Sequence, residues 1–190
     1  MRLCMLIPRP GWRTRRTAWW MLALCLLPVQ QAAAQAASAE MLKAEVIYRA
    51  LMFVTWPAGR EAAGRSLPVC TLGEGRVETA LQALQGRPIR HLSVEVRRLA
   101  KLDQAVHCQL LYVSTPTPMP ALKAALADAP VLVVSDASAM LDHGAMINLQ
   151  IEDGRIVFDV ELDATRRAGL DISTKLLRLA RFVRHQQPAS

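Results

Sequence analysis

Two cysteines, Cys70 and Cys108, stand in separate β-like runs, and a bond between them would dictate which strands are neighbours. Residues 67–72 (Leu-Pro-Val-Cys-Thr-Leu) read as the first strand and residues 108–113 (Cys-Gln-Leu-Leu-Tyr-Val) as the third. In an oxidising compartment an even pair of this kind forms a disulfide by default, two buried thiols being the alternative. A bridge needs Cα atoms within about 7 Å, so it would set the first strand beside the third. Closing a loop of about 38 residues would stabilise the fold by roughly 4 kcal/mol through the unfolded chain's lost entropy.

The compartment is read from the start of the chain. Five arginines (Arg2, Arg9, Arg13, Arg15, Arg16) precede an apolar run at residues 18–27, then Pro28 and a series of small residues. That is the plan of a secretory signal, with cleavage expected after Ala34 or Ala39 and a mature domain over residues 40–190. The apolar run is about ten residues, too short to span a bilayer comfortably. Arg15-Arg16 is a weak twin-arginine signal, and Leu24 is too large for a lipoprotein box ending at Cys25. Removing the leader takes away Cys4 and Cys25 and lowers the formal charge from +7 to about +2. A body so near neutrality has little attraction for phosphate, and nucleic acid is not an expected partner.

The mature chain of about 150 residues suits a single domain. Residues 40–54 carry apolar side chains at helical spacing, with Trp56-Pro57 as the stop. Strand-like runs at 67–72, 92–96, 108–113 and 131–135 alternate with helix-like stretches near 77–84 and 121–127. Such alternation predicts an α/β domain, a mixed and mostly parallel sheet flanked by helices. With the first and third strands adjacent, the order becomes 2-1-3-4. Residues 144–151 and 156–162 flank Asp153-Gly154, a pair suited to a tight turn, and predict a C-terminal β-hairpin at the far edge. An amphipathic helix follows, running to Arg184 and capped by Asp171 or Ser173.

Residues that could carry chemistry are sparse. Gly73-Glu74-Gly75 follows a strand and precedes a helix, but Glu78 stands where a dinucleotide-binding motif needs its third glycine. No cofactor is expected. The four histidines show no metal-binding spacing, and neither a Gly-x-Ser-x-Gly elbow nor a committed pair of carboxylates is present, so catalysis is not expected. Asp136, Asp142 and His143 fall after the fourth strand, where open α/β sheets bind ligands, and form a candidate small-molecule loop. Lys175, Arg178, Arg181 and Arg184 gather on the last helix. Lys175, Arg178 and Arg181, with Trp56, are the candidates for contact with a partner.

Several strings together resemble the YfiR-like family: residues 40–57 closing on Trp56-Pro57, 131–136, Gly-Ala-Met-Ile-Asn at 144–148, and Arg-Arg-Ala-Gly-Leu-Asp-Ile-Ser at 166–173 with the run to Arg181. The resemblance implies a compact periplasmic α/β protein, often dimeric, with Cys70 and Cys108 at the family's disulfide positions. It implies a regulator that binds the periplasmic part of an inner-membrane diguanylate cyclase and represses cyclic di-GMP output. A second cysteine pair found in some members is absent, so a two-disulfide redox switch does not carry over. Two readings compete with it, a periplasmic binding protein serving a sensor or transporter and a hydrolase whose site assembles only in the fold.

Overall fold

The computed structural model describes residues 28–60, 66–114, 118–127 and 129–185. Most of the expected leader, including its apolar run, lies outside the described residues. The chain divides into a unit Met1–Ala37 and a unit Ser38–Ser190, and the second holds the sheet and the core.

Helix α1 spans Pro28–Leu51. It stops before the Trp56-Pro57 signal because Val54–Thr55 forms a short strand, β1. β1 pairs antiparallel with β9, Asp171–Ile172, in a small two-stranded sheet. The main sheet begins with β2, Ser66–Leu72, followed by α2, Arg76–Gln82. After β3 (Pro88–Ile89) and β4 (Leu92–Leu99), a 3-10 turn over Leu102–His107 leads to β5, Leu110–Val113. Helix α3 (Met119–Leu126) and β6 (Leu132–Ser135) come next, then β7 (Ile147–Glu152) and β8 (Arg155–Glu161). Short helices α4 (Leu162–Arg167) and α5 (Thr174–Leu177) flank β9, and β10 (Phe182–Arg184) closes the described chain.

The eight-stranded sheet has the order β10-β8-β7-β6-β5-β2-β4-β3. Its middle, β4-β2-β5-β6, is the predicted 2-1-3-4 arrangement, parallel throughout. Cys70 and Cys108 are bonded, with Cα atoms 5.9 Å apart. β7 joins β6 in parallel and β8 returns antiparallel. Between them Asp153 and Gly154 both have positive φ (49° and 73°), as a two-residue hairpin turn of matching twist requires.

Alternation along the strands splits the core in two. Leu67, Val69, Leu110, Tyr112, Leu132, Val134, Leu149 and Phe158 face a large cluster with Ile47 and Leu51 of α1 and Leu81 of α2. Cys70, Leu111, Val113, Val131 and Val133 face a smaller one, roofed by Leu122 and Leu126 of α3. The disulfide belongs to the smaller cluster, and both of its cysteines are buried.

The extent of the C-terminal helix is a correction. Only Thr174–Leu177 is helical, with the Ser173 hydroxyl accepting from Lys175 N–H as the cap. The chain then turns back and β10 lies parallel to β8, Val183 opposite Val160. Leu179, placed by periodicity on the buried stripe, is 69% exposed. The backbone N–H of Arg181 donates to Phe158 carbonyl, and the acids of β8 draw the arginines that follow α5 out of helical register.

Because the disulfide ties two adjacent strands inside a buried apolar cluster, the Cys70→Ser, Cys108→Ser double variant is expected to lose about 2–5 kcal/mol in urea unfolding. The native protein should resist dithiothreitol that reduces it readily once unfolded, which thiol labelling at increasing urea will measure.

Candidate functional site

Two polar assemblies and a pocket stand out on the sheet among the described residues. The first assembly sits at the carboxyl ends of β5 and β6. Tyr112 hydroxyl donates to Asp136 Oδ1 at 2.6 Å, and Lys43 Nζ donates to Asp136 Oδ2 at 2.7 Å. Asp136 therefore clamps α1 to the sheet. Burial pushes the Tyr112 phenol well above the ordinary tyrosine range, with the hydrogen bond to Asp136 acting in the same direction.

Beside it lies the glycine turn. Gly73 has φ 108°, and Ser114 Oγ stands 3.1 Å and Glu78 Oε1 3.5 Å from where a Cβ on that residue would be. The Glu78 carboxylate folds back over Gly75 and is 1% exposed. It fills the space between the turn and the first turn of α2. The residue that breaks the glycine motif in the sequence is thus also the group that occupies the place a phosphate would need.

The second assembly uses the acids of β8. Arg181 Nε donates to Asp159 Oδ1 at 2.9 Å, and its Nη2 to Asp159 Oδ2 at 2.5 Å and Gln150 Oε1 at 3.0 Å. Arg184 Nε donates to Glu161 Oε2 at 2.5 Å and its Nη1 to Asp142 Oδ1 at 2.7 Å. Asp159 and Glu161 hold their respective arginines firmly protonated, through these hydrogen bonds first and charge second.

The predicted site residues are thereby dispersed. Trp56 is 4% exposed, and its Nε1 donates to Gln109 carbonyl at 3.1 Å. It packs the end of the first helical segment and is not a surface contact, which corrects its place among the partner candidates. Arg181 is committed to Asp159, so it too leaves the basic face. Lys175 and Arg178 are exposed, with no side-chain hydrogen bond or ion pair among the described residues. Asp136, Asp142 and His143 do not form one loop site: Asp136 serves the clamp, Asp142 serves Arg184, and His143 lies exposed.

A pocket of about 640 Å³ opens between α3 and α4, over the same sheet face as the disulfide. Leu122, Leu126, Val131, Val133 and Met146 supply its apolar wall, and Asp142, Glu161 and Arg184 its polar side. Of its lining, sequence reading singled out only Asp142 as a ligand candidate, because the residues come from several separate segments. A further signal was Glu161, an acid on a strand that otherwise reads as core.

Among the described residues, no group of three or more His, Cys, Asp or Glu side chains could hold a metal ion. None of the described helices is long and apolar enough to cross a membrane.

A family model described as YfiR/HmsC-like matches residues 40–181. The chain belongs to that family. The match covers nearly all of the described second unit, including the second half of α1, the hairpin and Arg181. A search of curated proteins finds no match. Among solved structures, a conserved domain protein from Vibrio cholerae O1 biovar El Tor aligns with TM-score 0.51 and 12% identity. That alignment covers 76% of this chain and 60% of the Vibrio chain, and at such identity it speaks for the fold alone. The ABC domain from Streptococcus pneumoniae, solved in complex with L-Trp, aligns more loosely, with TM-score 0.43 and 10% identity over 62% of this chain and 55% of that one.

The Tyr112 phenol supplies a pH prediction. Its pKa in the fold is raised above the ordinary tyrosine value of 10.0, so its contribution to stability is complete below that value and lost as pH rises beyond it. The unfolded chain there releases a proton that the native state keeps. Stability should fall above about pH 10, more steeply in the wild type than in Tyr112→Phe, as urea midpoints across alkaline pH will show.

Proposed function

We propose that this chain is a periplasmic regulator that binds the periplasmic part of an inner-membrane sensor, a diguanylate cyclase, and restrains cyclic di-GMP output. The observation that carries the reading is the YfiR/HmsC-like match over residues 40–181. Export through the N-terminal leader would deliver the domain to the compartment where the disulfide forms. Repression would work by differential affinity, the regulator binding one conformation of the sensor better than the other.

The contact surface is proposed at the C-terminal turn. Lys175 and Arg178 are exposed there, next to Leu179 and Phe182, each 69% exposed. Apolar side chains ringed by cations suit a partner surface with an apolar centre and an acidic rim. The buried acids Asp159 and Glu161, and the partly buried Asp136 after β6, are held in structural pairs rather than poised for acid-base work.

Deleting the gene in a strain that keeps the cyclase should raise cyclic di-GMP and biofilm several-fold. Unchanged levels would remove the regulatory reading. Capture from membranes should recover a sensor with a cyclase domain. Lys175→Glu with Arg178→Glu should weaken that capture at least tenfold while leaving the melting temperature within about 2 °C, since exposed charges of this kind contribute little to folding.

A further inference from the structure

We infer that the pocket between α3 and α4 binds a monocarboxylic acid with an apolar chain. Its volume of about 640 Å³ lies within the range of small-molecule sites. The half-buried Ala129, Leu141, Ala164 and Ala168 line it, as do Leu126 and Met146, each 7% exposed. An occupant with an apolar body meets such a lining without burying polar groups of its own.

The head of the occupant follows from which polar groups of the lining remain unengaged. Arg184 binds both acids there, Glu161 through Nε and Asp142 through Nη1. The two helix ends are also served from within the chain. On α3 the carbonyls of Lys123 and Leu126 accept from the N–H groups of Ala127 and Ala129. On α4 those of Ala164 and Thr165 accept from Ala168 and Leu170, so neither end depends on a ligand's donor. Two charged groups are left, Lys123 from α3 and Arg167 from α4. Both are exposed and have no side-chain partner among the described residues. Cations brought to one cleft from two helices repel each other, and an anion between them removes the repulsion. Over the whole lining the positive charges exceed the negative by one. A single carboxylate cancels that excess, whereas a phosphate monoester, at about −1.5 to −2, overshoots it. The guanidinium fork of Arg167 matches the two oxygens of a carboxylate, and Lys123 adds a point charge.

This site shares no residue with the surface proposed for the sensor, so the failure of either reading leaves the other standing. The probe is decanoic acid, titrated by calorimetry into the protein purified after expression of its full chain. The comparisons are 1-decanol, decylamine, decyl phosphate and acetate. Decanoic acid is expected to bind and to raise the melting temperature. Decanol, which lacks the charge, should bind at least tenfold more weakly, and acetate, which lacks the chain, should give no measurable heat. Lys123→Glu with Arg167→Glu should cost at least tenfold, and Ala164→Trp, which fills the pocket, should abolish binding. Melting curves confirm that each variant is folded, and the rim double variant keeps the test alive should Ala164→Trp fail to fold. Equal binding of decanol or acetate, tighter binding of decylamine or decyl phosphate, undiminished binding in the rim variant, or no binding of decanoic acid would each overturn the assignment.

Discussion

Asp159 and Glu161 sit two residues apart on one strand, and both are buried. A buried carboxylate is costly to keep without a charged or multiply hydrogen-bonded partner. The cations that meet this need arrive from the end of the chain, as Arg181 and Arg184. This requirement sets the course of the last segment. It ends α5 after one turn, lays β10 alongside β8, and ties residues near 142 to the terminal strand through Arg184. Removing either arginine would leave an uncompensated charge beneath the sheet.

The two faces of the sheet divide the remaining tasks. The larger cluster takes α1, α2 and the small β1-β9 pair, and the Tyr112–Asp136–Lys43 clamp closes its edge. The smaller cluster has α3 and the 3-10 turn above it. It holds the disulfide at one end and the pocket at the other. A face so lightly roofed has less apolar area to hold it, and there the covalent bond contributes most.

Much of this was legible in the sequence. The parallel core and its 2-1-3-4 order followed from alternating patterns and from the cysteine pair, and the Asp153-Gly154 turn followed from residue type. The last helix was misread because Ile172, Leu176, Leu179, Ala180 and Val183 do fall at helical spacing, and periodicity cannot see the acids of β8 waiting across the fold. Trp56 reads in the sequence as a candidate contact, whereas its burial and its hydrogen bond to Gln109 carbonyl set it in the core. The loop after β6 looked like one site because Asp142 and His143 follow Asp136 closely. In space each polar group is engaged by a different element or by solvent. Pairings between distant segments leave little local trace, and the candidate site is made of little else.

The disulfide has one more consequence, which concerns the continuity of the chain. Cys70 and Cys108 enclose α2, β3, β4 and the 3-10 turn, so the two strands at one end of the sheet belong to a covalent ring. A protease that cuts any exposed bond inside that ring opens it without releasing a fragment. Both new ends stay fastened to adjacent strands, Cys70 in β2 and Cys108 just ahead of β5. Wherever proteases meet it, that end of the sheet can be nicked and still not be shed.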